Sequence, residues 1–371
     1  MSEVRLSAAL IVRDEERFLE GCLKSLSGRV DEVVVVDTGS TDRSKQIARD
    51  LGARLFDYAW QNDFASARNH AIDQTQGTWI LYIDADERLT EFDGATVGTL
   101  LNDPGHICYS VGFRPAVGFS RYREYRLFRK HPDLRFRGSV HESVVPALEE
   151  LCATGHWHIG HSPVAIDHLG YEGDLRHKHE RNLPLLRARL ERDPWHIYSW
   201  DQLGLTLLGL DDAVGAEATW RHAIEIIRAL PRTSDVESLP YQHLAGLLLD
   251  QKRDASALLD EGCRRFPNNH SLTWLHARHL VETGQYAAAK PIFARLTEID
   301  PERLDTGKLA FDTAIFGAQA HAALGLCAFH MAEFAESAVH YARAAALAPD
   351  DLEIRAKQAF AALRARSRPV P

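Results

Sequence analysis

Two apolar runs, each ending in acid, constrain this chain more than any other feature. Val33-Val34-Val35-Val36 leads into Asp37-Thr38-Gly39-Ser40-Thr41-Asp42, and Trp79-Ile80-Leu81-Tyr82-Ile83 leads into Asp84-Ala85-Asp86. Runs of this length, rich in β-branched residues, predict buried parallel strands. Open α/β sheets gather their ligands just beyond the carboxyl ends of such strands. A carboxylate buried there without a partner is costly, so these aspartates need water, donors or a cation. Asp-X-Asp at a strand end puts two carboxylates where a divalent ion and its phosphates can sit. The pattern points to a metal-bound nucleotide site.

The surrounding sequence supports such a sheet. Strand and helix signals alternate through the first part of the chain, the mark of a parallel α/β fold. Strands are predicted at 6–12, 31–37, 53–57 and 79–83. Helices are predicted at 15–26, from a Ser40 or Thr41 cap through Leu51, and from Asn62 or Asp63 to about Gln76. From Ile107 to His168 the strands shorten, at 109–113, 125–129 and 164–168, with a helix at 144–151 between them. The composition changes near Tyr171, and 172–182 is highly charged, which predicts one domain over 1–172 and another over 183–371.

Beyond that junction the patterns are helical and punctuated by Pro194, Pro231, Pro267, Pro301 and Pro349. The first three intervals, 37, 36 and 34 residues, lie close to the ~34-residue period of tetratricopeptide hairpins. Small and aromatic residues recur in register: Gly204, Ala216, Trp220 and Ala223; Gly284, Tyr286, Ala289 and Phe293; Gly325, Phe334, Tyr341 and Ala344. Each hairpin of such an array buries its face by stacking on the next. The final 48-residue interval implies an insertion near 303–311.

The bulk properties exclude several classes. A length of 371 residues suits about two domains. The formal charge of −9 argues against a general nucleic-acid or anionic-membrane binder. No apolar run reaches the ~20 residues that span a bilayer, and the N-terminus does not read as a signal peptide. Five scattered cysteines without a Cys-X-X-Cys pair suit a reducing cytosol. A cytoplasmic protein is expected.

Several spaced motifs carry a resemblance. They are Ile11-Val12-Arg13-Asp14-Glu15-Glu16, the Asp37–Asp42 turn, Trp60-Gln61-Asn62-Asp63-Phe64 with Ala67-Arg68-Asn69, and Asp84-Ala85-Asp86-Glu87. Further on come Arg126-Leu127-Phe128-Arg129, Arg135-Phe136-Arg137-Gly138-Ser139-Val140-His141-Glu142 and Asp167-His168-Leu169-Gly170-Tyr171. In this order they make the first domain resemble a family 2 glycosyltransferase with the GT-A (Rossmann-like) nucleotide-sugar fold. The whole chain is similar to bacterial enzymes of that family with a C-terminal tetratricopeptide region, including S-glycosyltransferases that modify bacteriocin peptides. A similar Val-His-Glu stretch occurs in lipopolysaccharide-core glucosyltransferases.

The resemblance implies roles for particular residues. Asp37 would hold the uracil of a UDP-sugar, its carboxylate accepting the N3–H; its other reading is a cap for the following helix. Val12, Arg13, Glu15, Arg68, Asp84 and Ala85 would line the nucleotide-sugar, with Arg68 neutralising the diphosphate or bracing Asp84. Asp86 and His168 would hold Mn²⁺ or Mg²⁺, hard cations suited to oxygen ligands. His168 alternatively reads as a core histidine. Glu142 is the expected general base, because direct displacement at the anomeric carbon requires the acceptor's proton to be removed. It could instead pair with Arg135 or Arg137. His141 could orient Glu142, reach the phosphates or act as base itself.

Other residues read more plainly. Arg126 and Arg129 face opposite sides of a strand, so at most one points at the site. Asp42 reads as a helix N-terminal charge or a partner of Arg68, and Asp63 as a cap or a site residue. His156, His158 and His161 after Cys152 fit no familiar structural zinc spacing.

The expected protein is therefore a metal-dependent, inverting glycosyltransferase moving a hexose from a UDP-sugar to a protein or peptide acceptor. The repeats would hold that acceptor or form a homodimer. A saccharide or lipid-linked acceptor is the alternative within the class; outside it stands a tetratricopeptide scaffold with an inactive GT-A domain.

Overall fold

The computed structural model describes residues 5–169, 176–304 and 307–366. Gly170-Tyr171 of the last motif, and the junction expected near Tyr171, lie outside the described residues.

Valine builds the centre of the sheet. In β2 (Glu32–Asp37), Val34, Val35 and Val36 are all fully buried. Val35 packs with Leu19, Cys22 and Leu26 on one face, whereas Val34 and Val36 pack with Ala65 and Ile72 on the other. Successive side chains of a strand point to opposite faces, so a continuous apolar run means that both faces are covered. Each such valine or leucine contributes about 1.5–3 kcal/mol by leaving water.

Eight strands form one mixed sheet. They are β1 (Leu6–Val12), β2, β3 (Arg54–Asp57), β4 (Trp79–Tyr82), β5 (Glu87–Glu91), β6 (His106–Arg114), β7 (Tyr122–Arg129) and β8 (His158–His168), in the spatial order β3-β2-β1-β4-β7-β6-β8-β5. The β3-β2-β1-β4 part is parallel. β7 then runs antiparallel to both β4 and β6, β6 and β8 are parallel, and β5 closes the edge antiparallel to β8. Helices α1 (Leu19–Leu26), α2 (Ser44–Asp50), α3 (Phe64–Gln74), α4 (Gly94–Leu100), α5 (Val145–Ala153) and α6 (Arg176–Arg192) complete this part.

Two helix starts differ from the sequence expectation. α1 begins at Leu19, and the residues before it form a turn in which Phe18 N–H and Leu19 N–H both donate to Glu15 O (3.0 and 2.9 Å). Ser40 and Thr41 are engaged with Asp14 instead of capping α2: Asp14 N–H donates to Ser40 Oγ (2.9 Å), and Thr41 N–H donates to Asp14 Oδ1 (2.7 Å). α2 starts three residues later, where Asp42 Oδ1 accepts from Ser44 N–H (2.9 Å). Asp63 caps α3, as its sequence position suggests, by accepting from Ser66 N–H (3.0 Å). β5 and α4 had no counterpart in the sequence reading.

The chain divides into two units, one holding residues up to Val117 and from Tyr122 to Ser199, the other holding Gly118–Arg121 and the chain from Trp200. The second is helical: α7 (Ile197–Gly209), in which the division falls, α8 (Ala213–Ala229), α9 (Leu239–Asp250), α10 (Ser256–Arg265), α11 (His270–Glu282), α12 (Tyr286–Leu296), α13 (Ala318–His330), α14 (Phe334–Leu347) and α15 (Leu352–Arg366). Its small residues admit aromatic rings. A Cβ on Gly204 would lie 2.3 Å from the Trp220 indole, and one on Gly325 would lie 2.8 Å from the Tyr341 ring.

The long proline interval is an insertion between α12 and α13. Leu309, Phe311, Ile315 and Phe316 bury themselves in the repeat core. Ser120 N–H donates to Phe311 O (2.8 Å) and Phe311 N–H to Ser120 Oγ (3.0 Å), which is why residues 118–121 belong to the helical unit.

Candidate active site

The acidic turn follows β4 directly. Asp84 N–H donates to Glu87 Oε2 (2.8 Å) and Glu87 N–H donates back to Asp84 O (3.0 Å), closing a tight loop around Ala85 and Asp86. β5 then leaves along the sheet edge with Glu87 opposite His168 in the β5–β8 ladder. That register brings together residues far apart in sequence. His168 Nε2 lies 3.0 Å from Asp86 Oδ2, and its Nδ1 lies 2.9 Å from Pro115 O. Burial favours the neutral imidazole, but the Asp86 carboxylate more than offsets this and raises the His168 pKa.

Arg68 joins this turn to the Val-His-Glu stretch. Its Nη2 donates to both oxygens of Asp84 (2.9 and 3.1 Å) and its Nε donates to Glu142 Oε1 (2.5 Å). The guanidinium lies over the Tyr82 and Phe136 rings at 5.0 and 5.6 Å. Burial works against the Asp84 carboxylate, yet Arg68 and Arg126 hold it below the ordinary carboxylate range. Burial likewise disfavours the Arg68 cation, but Asp84 and Glu142 keep it charged. The sequence left Glu142 open to Arg135 or Arg137. Those residues pair instead with Asp73 (2.7 Å) and Glu150 (2.6 Å), and Glu142 belongs to Arg68. Asp42 does not reach Arg68; it accepts from Ser44 N–H and Glu16 N–H.

His141 takes a left-handed conformation (φ 49°) and meets the Tyr198 ring edge-on at 5.4 Å. Burial, followed by the positive charge of Lys178 and Arg189, lowers its pKa to about 4, so it is neutral at pH 7. Glu15 feels the same acidic turn from another side. Burial first, then Asp86 and Asp84, push its pKa up to about 7, with Lys178 opposing. Arg13, exposed, lies near Asp14 (4.0 Å), and Val12 is buried at the end of β1.

At the end of β2, Asp37 Oδ1 accepts from Gly39 N–H and Ser40 N–H (3.0 Å each), with Lys45 Nζ at 3.4 Å. Its buried Oδ2 has no hydrogen-bond partner among the described residues. Half of the carboxylate closes its own turn, and half is left with an unmet acceptor.

Sequence reasoning missed three participants: Glu87, Arg126 as its partner, and Lys178 on α6. No local pattern marked the first, since Glu87 and Leu89 both face inward on β5 but only Leu89 is apolar. Among the described residues no three His, Cys, Asp or Glu side chains converge as a ready-made metal ligand set. His161 Nδ1, one of the histidines weighed for zinc, lies 2.7 Å from Ser110 Oγ. No helix among the described residues is long and apolar enough to cross a membrane.

Residues 7–148 match the model of glycosyl transferase family 2. The chain is 33% identical over 302 residues to a TPR repeat-containing protein of Synechococcus elongatus, covering 77% of this chain and 73% of that one. It is 25% identical over 200 residues to the SPbeta prophage-derived glycosyltransferase SunS of Bacillus subtilis, covering 51% of this chain and 46% of SunS. Among solved structures, YrrB, described as a TPR protein with an unusual peptide-binding site, aligns at 16% identity with a TM-score of 0.39, covering 49% of this chain and 84% of its own. The class is thus a GT-A, Rossmann-like α/β domain followed by tetratricopeptide-type helical repeats. Within that class the domain over residues 7–148 belongs to glycosyl transferase family 2, and its chemistry is glycosyl transfer.

Proposed function

We propose that this glycosyltransferase is metal-dependent and inverting, and that it moves a hexose from a UDP-sugar to a protein or peptide acceptor. The observation that carries this reading is Arg68, whose single guanidinium ties Asp84 to Glu142 and so draws the acidic turn and the Val-His-Glu stretch into one site. Glu142 takes the proton from the acceptor's attacking atom as that atom bonds to the anomeric carbon. The bond from that carbon to the diphosphate oxygen breaks on the opposite face, and UDP departs. Arg68 holds the Glu142 carboxylate in place beside the acidic turn. Asp37 Oδ2, buried without a donor, suits the N3–H of uracil. Val12, Arg13, Glu15 and Ala85 surround the nucleotide-sugar in this reading.

Asp86 and His168 fit a divalent cation. The carboxylate is partly exposed, and the Pro115 carbonyl accepts from His168 Nδ1–H, which turns Nε2 towards Asp86 so that a cation would displace the contact between them. Two protein ligands leave room for phosphate oxygens and water, and either Mn²⁺ or Mg²⁺ suits this donor set. When bound, the cation stabilises negative charge on the departing diphosphate. The repeats are assigned the acceptor, since such arrays present extended surfaces suited to peptides. Homodimerisation through the repeats, and a cytoplasmic location, complete the proposal.

The test is calorimetric titration of UDP with and without Mn²⁺, paired with transfer assays on Glu142→Gln. We expect metal-dependent UDP binding, unchanged within about twofold in Glu142→Gln, and a turnover loss of about 10²–10⁴-fold. Full turnover in the variant would move the base to neutral His141. UDP affinity indifferent to metal would remove Asp86 and His168 from a cation site.

A further inference from the structure

Beneath the acidic turn lies a second ion pair, deeper than the first. Glu87 is 1% exposed and Arg126 6%. Arg126 donates Nη1–H to Glu87 Oε2 and Nη2–H to Glu87 Oε1, both at 3.1 Å, in the parallel fork that only arginine offers a carboxylate. Its Nε donates to Glu124 on the same strand, and its guanidinium lies over Tyr82 (4.3 Å) and Phe113 (4.8 Å). Burying such a pair costs several kcal/mol per ion, and apolar residues of similar volume often stabilise a fold as well or better. Stability alone is a poor reason to keep it here.

The connections of Glu87 supply a better reason. Its Oε2 is the acceptor for Asp84 N–H (2.8 Å), so Arg126 holds the oxygen that holds the turn. Glu87 also faces His168 across the edge ladder, and Phe113, under the Arg126 guanidinium, lies 6.3 Å from the His168 ring. Both ends of the Asp86–His168 pair therefore rest on residues in contact with Arg126 or Glu87. We infer that Glu87 and Arg126 are positioning residues, which fix the backbone of the Asp84-Ala85-Asp86 turn so that its carboxylates are preorganised for the donor's diphosphate. The inference rests on the proposed donor reading only for the ligand, not for the turn.

The test uses the full chain carrying Glu87→Leu with Arg126→Met, an apolar pair of similar volume, and Arg126→Lys as a second variant that keeps the charge and loses the fork. Two readouts are taken beside the melting temperature: amide hydrogen exchange of residues 82–90, and affinity for UDP in Mn²⁺. In the double variant, which leaves Glu124 and the Asp84 N–H without these partners, we expect a lower melting temperature with the fold retained, exchange of that segment at least tenfold faster, and UDP affinity at least tenfold weaker. Arg126→Lys should show both changes in milder form. A folded double variant with wild-type exchange and wild-type affinity overturns the inference; if the double variant does not fold, the same result in Arg126→Lys overturns it. Faster exchange in a protein whose wild type ignores UDP supports the positioning role and defeats the donor reading separately.

Discussion

The two units spend charge in opposite ways. Beside its surface pairs the sheet unit turns two arginine pairs inward at the acidic turn: the side chains of Arg126 and Glu87 are 7% and 2% exposed, and those of Arg68 and Glu142 are 11% and 10%. In the repeats the arginine–glutamate pairs stay outside, as with Arg228–Glu261 at 43% and 21% and Arg253–Glu217 at 46% and 18%, while glycine-against-aromatic packing fills the interior. Surface pairs add little to stability, and buried ones are expensive unless fully partnered. The repeats thus hold together by shape, whereas the sheet edge accepts an electrostatic cost that its chemistry explains.

The sharpest way to break this contrast is Arg68→Met. It leaves Asp84 and Glu142 sharing a site without their cation, so we expect a loss of about 3–5 kcal/mol in urea unfolding together with lost transfer activity. A stability change below about 1 kcal/mol would mean that solvent already screens these carboxylates. Next in size is Gly204→Val, which drives side-chain carbons into the Trp220 indole and should cost about 1–3 kcal/mol, confined to the repeats when followed by hydrogen exchange. An unchanged melting temperature would show that the first hairpin is looser than its packing suggests.

The smallest effects come from acid. Burial lowers His141 from 6.5 to about 4, so it folds neutral; its contribution is complete above pH 6.5 and is lost as pH falls towards 4. Glu217 and Glu261 are lowered from 4.5 to about 2, chiefly by Arg253 and Arg228, so their contribution is complete above 4.5 and is lost only as pH falls towards 2. The Glu217 and Glu261 pairs should therefore outlast the His141 contact on acidification, a difference that exchange of their own segments at pH 5 would detect. Exchange around Glu217 and Glu261 that rises at pH 5 as much as exchange around His141 contradicts the assignment.

Much of this architecture was legible because it follows local rules. The valine run of β2 and the Trp79–Ile83 run admit little but buried strands, and the glycine and tryptophan spacing of the repeats survives their irregular proline intervals. β5 escaped because Glu87-Arg88-Leu89-Thr90-Glu91 carries one apolar residue and reads as a continuation of the acidic turn. α4, with Gly94 and Gly98 in seven residues, lacks helix propensity and is set by its Asp93 cap and by packing. The site's partnerships were less legible still. Nothing local to Arg68 selects Asp84 and Glu142, 16 and 74 residues away, over nearer acids; that choice is made when the sheet assembles.

The antiparallel edge of the sheet has a bearing on synthesis. Asp86 and His168 are separated by 82 residues, and the ladder that unites them closes only when the last strand docks. A ribosome that has released the first four strands has made most of the parallel core but neither the imidazole nor its register. Such long-range closures come late in folding. The contact between this carboxylate and this imidazole therefore cannot form before His168 has been synthesised.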